Sequence, residues 1–297
     1  MVKKTSRKKL SIVIVSYNTK DILRDCLLSL EEVKNEVNFE VFVSDNGSID
    51  KSVEMVKKQF DWVNVIENNK NLGFARGNNA VRDLVKGEYV LFLNSDTLVH
   101  KNTLLSTINF MDQNKDVGSV SCRVVLPNGD FDKDTRRSFP TPWVALTHIA
   151  IPIDKLFPKS KLFAKYWYGF IPDNQPHEVD VIQGAFHLTR KSIFDKIGWF
   201  DEDYFLDGED IDICWRIKAQ GWKIMYYPKV SITHVKKASK KKPNAENKKI
   251  FTTAGVNAME IFYRKHLWEK YPVQLNYLVI LGIRLVKILR LIKLKLK

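Results

Sequence analysis

The sequence predicts an α/β protein built around a mostly parallel, Rossmann-like sheet. Short β-branched runs alternate with segments of helical periodicity through the first hundred residues. Polar residues follow each predicted strand, where ligands bind in sheets of this kind. With 297 residues, 44% hydrophobic and 28% charged, the chain is long enough for one large α/β domain or two small ones.

The N-terminal half reads as strands and helices in alternation. Strands are predicted within residues 10–19, 39–50, 62–69 and 88–99. Helices are predicted over 21–33, 50–59 and the later part of 71–85, which opens with a glycine-rich loop. This spacing indicates parallel strands with right-handed crossover connections.

A polar cluster follows each of these strands. The clusters are Ser16-Tyr17-Asn18, Asp45-Asn46-Gly47-Ser48, Asn68-Asn69 and Asn94-Ser95-Asp96. Turn formation explains any single cluster, since Asn, Asp, Gly and Ser favour turns. Four clusters in succession at one sheet edge indicate a crevice for a nucleotide-sized ligand.

The second half is less regular. Seven prolines interrupt residues 123–183, and we assign this region to an acceptor side because long loops inside a domain are often binding loops. Residues 181–205 predict a strand, a short helix and a loop. Residues 223–234 predict a strand pair that ends at His234.

Two adjacent acids, Glu209 and Asp210, immediately precede an apolar run with a helical period. They are predicted to lie at a helix N-terminus, where the helix dipole favours carboxylates, and simple capping is the alternative explanation. His234 follows Asp210 by 24 residues. A base candidate and a metal-ligand candidate together indicate an enzyme.

Composition suggests a cytoplasmic protein. The three cysteines, Cys26, Cys122 and Cys214, show no CxxC spacing and are expected to be buried, reduced thiols. Residues 1–9 form a basic tail without the apolar stretch of a signal peptide. We therefore expect localisation in the cytoplasm, on the inner face of the cell membrane.

The membrane expectation comes from the C-terminal charge. Residues 234–297 hold 16 Lys or Arg and 3 Asp or Glu, so they carry most of the net charge of +14. Within the basic segment 236–297, residues from 274 onward place cations among Leu and Ile, too closely for a membrane span. An interfacial helix on anionic lipid is favoured over a terminal helix packed on the core. No nucleic-acid-binding motif is found.

Five of these motifs, taken together, resemble family 2 glycosyltransferases of GT-A fold. They are SIVIVSYNT, VSDNGSID, NLGFARGNNA, LFLNSDT and FLDGEDIDICWRIKAQGW. The resemblance covers residues 10–235 and is closest to a rhamnosyltransferase-like branch that builds surface polysaccharides. It implies a nucleotide-sugar half, 10–99, and an acceptor and catalytic half, 100–235.

The resemblance also implies a donor site. Its residues would be Ser16, Tyr17, Asn18, Asp45, Gly73, Arg76, Asn94, Ser95 and Asp96. Asp45 would accept from a pyrimidine N–H, Gly73 would allow close backbone approach, and Arg76 would pair with phosphate. The donor would be a dTDP- or UDP-linked sugar, with dTDP-rhamnose the best guess.

A metal site is implied in the same way. The family's DXD motif stands here as Asn94-Ser95-Asp96, so its first acid is absent. Asp96 and His234 would hold Mg²⁺ or Mn²⁺ together with diphosphate oxygens.

The implied reaction is an inverting sugar transfer to a hydroxyl of a glycan or lipid-linked glycan. Asp210 would be the general base, with Glu209 second and Asp207 and Asp212 as alternatives. Trp199, Phe200 and Asp207 are the acceptor-site candidates, although core packing also explains Phe200.

Two other functions remain open at this stage. A catalytically inactive GT-A scaffold at the membrane would explain the missing first acid. A nucleotidyltransferase would also use an α/β sheet and a metal, but SYNTKD lacks the expected phosphate-loop glycine.

Overall fold

The computed structural model describes residues 8–236 and 245–296 and contains a central sheet flanked by helices. The strands are β1 Leu10–Ser16, β2 Phe39–Asp45, β3 Val63–Glu67, β4 Tyr89–Leu93, β5 Thr97–Val99, β6 Val117–Val125, β7 Arg136–Arg137, β8 His177–Glu178, β9 Val181–Ile182, β10 Phe186–Arg190 and β11 Lys223–His234. Most of the predicted N-terminal tail, and residues 237–244 and 297 of the basic segment 236–297, lie outside the described residues.

The helices alternate with these strands along the first half of the chain, as predicted. They are α1 Lys20–Glu32, α2 Ser52–Gln59, α3 Gly73–Asn79, α4 Thr103–Gln113, α5 Pro142–Ala145, α6 Lys191–Ile197, α7 Glu209–Ala219, α8 Ala245–Phe262 and α9 Val273–Lys295. The irregular middle of the sequence holds only α5, the short strands β7 to β9 and single helical turns.

The sheet has nine strands in the order β3-β2-β1-β4-β10-β6-β11-β5, with β8 also pairing with β11. Strand β10 runs antiparallel to both neighbours, whereas β1, β2, β3 and β4 are mutually parallel and β6 is parallel to β11. The prediction of a mostly parallel sheet is therefore confirmed. The carboxyl ends of the parallel strands share one edge.

Two predicted elements differ from the structure. The predicted strand 88–99 is broken at the turn 94–96, where the Thr97 hydroxyl donates to the Asn94 carbonyl at 2.8 Å. The chain then joins β11 as the antiparallel strand β5. The predicted strand pair 223–234 is one strand with an irregularity between Tyr227 and Ser231. Pro228 lies within it and has no N–H to donate to the ladder.

Both faces of the sheet are covered. Along β1, Ile12 and Ile14 pack in one core cluster and Val13 packs in the other, as the alternation of a strand requires. This double burial explains the continuous apolar runs in the N-terminal strands. It also leaves the strand ends as the accessible part of the sheet.

Helices α8 and α9 form a hairpin with its own core. Ile280 and Ile283 of α9 pack against Val256 and Phe262 of α8. Asn276 is buried, and it accepts a hydrogen bond from the Tyr263 hydroxyl at 2.7 Å. Helix α9 is thus packed on the protein along one side, which was the alternative to a purely interfacial helix.

The opposite side of α9 is apolar and exposed. This exposed face consists of Tyr277, Leu278, Leu281, Leu285, Ile288, Leu289 and Ile292. No helix in the described part of the chain is long and apolar enough to cross a membrane.

Candidate active site

A buried carboxylate, Asp45, lies at the sheet edge where the donor site is predicted. Asp45 ends β2, and its Oδ2 atom accepts the N–H groups of Gly47 at 3.1 Å and Ser48 at 2.8 Å. Its Oδ1 atom is buried and has no hydrogen-bond partner among the described residues. This oxygen is therefore available to accept a hydrogen bond from a ligand.

The end of β1 is tied to the same loop. The Asn18 N–H donates to the Ser48 hydroxyl at 2.8 Å, and the Asn46 N–H donates to the Ser16 carbonyl at 2.8 Å. Tyr17 lies between these contacts and is exposed. The structure thus brings four predicted donor residues, Ser16, Tyr17, Asn18 and Asp45, to one edge.

Gly73 approaches protein backbone instead of an open donor site. A Cβ atom at this position would lie 2.3 Å from the carbonyl oxygen of Phe205, and the φ angle is +78°. The next N–H, of Phe74, donates to the same carbonyl at 2.9 Å. The close approach allowed by this glycine therefore joins α3 to the loop that precedes α7.

Arg76 also belongs to this junction. Its Nε atom lies 3.3 Å from a carboxylate oxygen of Glu202, and both side chains are exposed. Asn79 adds two hydrogen bonds to the Phe200 backbone, at 2.8 and 3.1 Å. The structure gives Arg76 an exposed protein partner at Nε, and its predicted phosphate contact stays a prediction.

The predicted metal ligands lie next to each other. Asp96 precedes β5 and His234 ends β11, and the Asp96 Oδ1 atom lies 3.2 Å from the His234 Nε2 atom. Neighbouring ligands of an ion with bonds of about 2.1 Å are about 3 Å apart, so the pair fits a divalent ion. Asn94 and the buried Ser95 lie in the turn directly before Asp96.

Asp132 faces the other nitrogen of the same ring. Its Oδ2 atom is 3.4 Å from the His234 Nδ1 atom, and Lys236 and Gln183 also contact its carboxylate, at 2.9 and 3.3 Å. Asp132 and Asp96 are on opposite sides of the imidazole, so they cannot share one ion with it. No group of three or more His, Cys, Asp or Glu in the described ranges is arranged to hold a metal. The remaining ligands would be diphosphate oxygens or water.

Burial and hydrogen bonding act in opposite directions on the pKa values of this cluster. Burial lowers the pKa of His234, but the hydrogen bonds with Asp132 and Asp96 outweigh burial and raise its pKa above the usual value. Burial raises the pKa of Asp132, but His234 and Lys236 outweigh it and hold this pKa well below the usual range. Hydrogen bonding therefore outweighs burial at both residues.

The second part of the site is at the start of α7. Gly208 precedes the helix with a φ angle of +87°, and Glu209 and Asp210 occupy its first turn, as predicted. Asp210 forms an ion pair with Arg137 of β7. Both groups line a cleft of about 290 Å³, whose walls also include Tyr166, Asp207 and Glu209.

The structure separates the four candidate bases. Asp212 is only 1% exposed, and Arg216 and His266 contact its two oxygens at 2.7 and 2.6 Å. Glu209 is buried, and burial together with the nearby Asp210 raises its pKa well above the usual value. Desolvation in the cleft and the Asp210 charge also raise the pKa of Asp207. Among the described residues of the cleft, Asp210 is the carboxylate that forms a direct ion pair with an arginine, Arg137.

One short segment connects the two parts of the site. Asp132 contacts His234, and Arg137, five residues later, contacts Asp210. The connecting residues form a single 3-10 turn and β7, which pairs with β9. The metal-ligand pair and the candidate base are therefore held near each other by residues 132–137.

Sequence reasoning missed both Asp132 and Arg137. They lie in the irregular proline-rich region, where no periodicity gives a side chain a direction. The available signal is the local density of charge in DKDTRR, which is unusual beside the aromatic residues around it.

Comparison with known proteins now decides the family. Residues 11–198 match the profile described as Glycosyl transferase family 2. The chain belongs to this family. This glycosyltransferase is 25% identical to Rhamnosyltransferase WbbL of Escherichia coli K12. The match covers 75% of this chain and 82% of that protein.

A second relative is the N-acetylglucosaminyl-diphospho-decaprenol L-rhamnosyltransferase of Mycobacterium tuberculosis, strain H37Rv. It is 23% identical over 76% of this chain and 76% of its own length. Both relatives match through most of their length, so the glycosyltransferase has rhamnosyltransferase relatives, as the motifs predicted.

Solved structures confirm the GT-A fold. A mannosyltransferase from Pyrobaculum calidifontis, in complex with GDP-Man and Mn²⁺, superposes with a TM-score of 0.58 at 17% identity. The superposition covers 88% of this chain and 66% of the mannosyltransferase chain. The structure of GalNAc-T7 with UDP, GalNAc and Mn²⁺ superposes with a TM-score of 0.62 at 14% identity. This superposition covers 87% of this chain and 48% of the GalNAc-T7 chain.

Helix α9 adds one cation to the cleft of this glycosyltransferase. Arg290 and Arg137 both line the cleft, and the charge of Arg290 acts on Asp207 although no ion pair links Arg290 to any residue in the described ranges. Gly255 of α8 lies between Arg290 and the acids. A Cβ atom there would be 3.4 Å from the Asp207 Oδ2 atom and 4.0 Å from the Arg290 Nη1 atom.

The predicted acceptor aromatics are not in this cleft. Phe200 is 4% exposed, and its ring packs edge-on against Phe92 with a centroid distance of 4.6 Å. Trp199 packs against Phe92 at 5.8 Å and Phe194 at 5.5 Å. Their apolar rings complete the core beside α6. Of the three acceptor candidates, only Asp207 lines the cleft, where Tyr166 is an aromatic wall.

Proposed function

We propose that this glycosyltransferase is an inverting enzyme that moves a sugar from a nucleotide-diphospho-sugar to a hydroxyl of a lipid-linked glycan. The observation that carries the proposal is the pairing of Arg137 with Asp210 in a cleft, five residues from the contact that Asp132 makes with His234. A base and a diphosphate site joined by five residues, which span at most about 18 Å when fully extended, can act on the same donor sugar in a single displacement.

The acceptor hydroxyl would lose its proton to Asp210 while its oxygen attacks the anomeric carbon. The bond from that carbon to the diphosphate breaks on the opposite face, which inverts the configuration. Arg137 orients the carboxylate towards the cleft and compensates its charge before the proton arrives. Glu209, whose pKa is raised by burial and by the Asp210 charge, is the second candidate.

Asp96 and His234 would hold Mg²⁺ or Mn²⁺, which when bound supplies positive charge to the departing diphosphate. The 3.2 Å separation of their ligand atoms supports this assignment. Lys236, which contacts Asp132, adds a further cation at the same edge.

The unpaired Oδ1 atom of Asp45 supports a pyrimidine nucleotide. It is a buried acceptor, which suits the ring N–H of uracil or thymine and leaves Oδ2 to its two backbone donors. The rhamnosyltransferase relatives favour dTDP-rhamnose among these donors.

The lipid-linked acceptor is supported by the exposed face of α9 and by Arg290. An apolar face beside cations suits the surface of an anionic membrane. Arg290 reaches the cleft from this same helix, so an acceptor phosphate near the membrane would meet a cation that has no ion pair among the described residues. These features support the proposal that the enzyme is peripheral on the inner face of the cell membrane.

Turnover with a panel of UDP-, dTDP- and GDP-sugars tests the proposal. We expect slow donor hydrolysis and tight binding with a pyrimidine nucleotide, and loss of both in Asp45→Asn. A clear preference for a GDP-sugar would overturn the role of Asp45. Nucleotide binding without turnover of any donor would favour the inactive scaffold instead.

A further inference from the structure

Residues 141–165 form an insertion that leaves and re-enters the protein at the cleft. Pro140 and Tyr166, which flank it, both line the cleft wall. The Ser138 N–H donates to the Tyr166 carbonyl at 2.8 Å, which closes the base of the insertion. Anything that binds the 141–165 insertion is therefore brought to the edge of the acceptor cleft.

The 141–165 insertion exposes an unusual amount of apolar surface. Its exposed apolar side chains are Trp143, Leu146, Ile151, Leu156, Phe157 and Leu162. Leu156 is 76% exposed and is followed directly by Phe157, at 54%. A contiguous group of exposed apolar side chains marks an interaction site, whereas scattered ones need no explanation.

Internal contacts show that this exposure belongs to a folded unit. The Trp143 indole N–H donates to the Leu162 carbonyl at 3.0 Å. Phe163 packs against Trp143 and Phe157 with ring centroids 6.1 and 5.7 Å away. At the base, His148 stacks on Tyr166 at 4.3 Å.

The charge of the insertion indicates what it contacts. Lys155, Lys159, Lys161 and Lys165 are all exposed, and they form no ion pair with any residue that the structure describes. The one acid within 141–165 is Asp154, which is buried and contacts His148 at 2.6 Å. The outer surface is therefore apolar and purely cationic.

We propose that the 141–165 insertion binds an anionic phospholipid surface, with Leu156 and Phe157 entering the acyl boundary and the lysines contacting headgroups. Lipid headgroups compensate the lysine charge while the apolar tips leave water. A second copy of the chain fits less well, because a two-fold contact would bring the same cationic patch against itself.

The insertion and helix α9 border the same cleft. Tyr166 follows the insertion and Arg290 belongs to α9, and both side chains line the cleft walls. Attachment at both surfaces would hold the cleft at the membrane. The benefit to turnover rests on the proposed lipid-linked acceptor, whereas lipid binding itself does not depend on that proposal.

Vesicle co-sedimentation of the full chain tests the inference. We expect Leu156→Asp/Phe157→Asp to need at least about tenfold more lipid for half-maximal binding to phosphatidylcholine vesicles that contain phosphatidylglycerol. The matched control, Leu84→Asp/Leu105→Asp, adds the same charge at exposed apolar positions elsewhere and should bind like the parent. Equal binding by the parent and the insertion variant would overturn the proposal.

Two further measurements keep the outcome clear. Lys159→Gln/Lys161→Gln should reduce the preference for vesicles with phosphatidylglycerol over phosphatidylcholine alone, and an unchanged preference contradicts the lysine contact. Light scattering without lipid should show the same oligomeric state for the parent and for the insertion variant. Self-association of the parent that is lost in the insertion variant would favour a second copy of the chain as the partner. Donor hydrolysis should match in all variants. Absence of donor hydrolysis in the parent would count against the proposed reaction, and it would leave the vesicle-binding result intact.

Discussion

Asp132 faces the Nδ1 atom of His234 at 3.4 Å, on the side of the ring away from Asp96. A carboxylate in this position fixes the orientation of the ring, so that Nε2 points at the proposed metal position. Partners of this kind typically change metal affinity by about 10–100-fold when they are replaced.

We therefore expect Asp132→Asn to weaken Mn²⁺ binding by about tenfold or more. Titration calorimetry in the presence of nucleoside diphosphate measures the change. Asp134→Asn is the matched control, because Asp134 contacts Lys236 at 3.2 Å and does not contact His234. Equal weakening in both variants would mean that general charge, and not the imidazole contact, is responsible.

Removal of the metal should abolish turnover. Chelation with EDTA leaves the diphosphate without a compensating divalent charge, and added Mg²⁺ or Mn²⁺ should restore the rate. Donor turnover measured with and without chelator provides the test. Full activity in EDTA would remove the metal role from Asp96 and His234.

The base assignment predicts an order among the acids of α7. Asp210→Asn should lower kcat by about 10²–10⁴-fold with donor binding nearly unchanged, because the amide keeps the shape but cannot take a proton. Glu209→Gln should lower kcat by a smaller factor. Asp212→Asn should mainly lower stability, because Arg216 and His266 contact its carboxylate. A larger kcat loss in Glu209→Gln would transfer the base role to Glu209.

Glu209 should also make stability depend on pH. Burial and the Asp210 charge raise its pKa above the ordinary value of 4.5, so the folded state binds its proton more tightly than the unfolded state does. Stability from this group is complete below the ordinary pKa and is lost as pH rises through the raised pKa. We expect Glu209→Gln to raise Tm by a few degrees at neutral pH and to leave it unchanged in acid. Thermal unfolding at both pH values measures this, and a lower Tm at neutral pH would contradict it.

The exposed face of α9 should bind lipid without supporting the fold. Leu281→Asp/Leu289→Asp should weaken binding to anionic vesicles and leave Tm close to that of the parent, because both side chains are exposed. Ile280→Asp is the contrasting variant, and it should lower Tm because Ile280 packs on α8. Deletion of residues 274–297 is less informative, since it removes this packing together with the exposed face.

The sequence predicted the parts of the molecule that depend on local periodicity. Apart from the break in the predicted strand 88–99, the strands and helices of the first half agree with the structure, and so does the position of Glu209 and Asp210 at a helix start. These features follow from strand and helix periodicity and from helix capping. The neighbourhood of Asp96 and His234 was implied by the family resemblance, and the structure places the two side chains in contact.

The remaining features depend on contacts between distant segments. Nothing local distinguishes a Phe200 in the core from one in a cleft, since both roles require the same apolar ring. Arg137 and Asp210 are 73 residues apart, and no spacing rule relates them. The exposure of Leu156 and Phe157 likewise requires knowledge of which apolar residues lack a partner.

The junction between α3 and residues 200–205 has a consequence for the kinetics of the enzyme. The Phe74 N–H, the Asn79 amide and the Arg76 guanidinium all contact this segment, which leads directly into the acids of α7. We expect a donor that binds beside α3 to hold in place the chain that carries the proposed base before any acceptor arrives. Product-inhibition patterns should accordingly show a compulsory order, with the nucleotide-sugar entering first and the free nucleotide leaving last.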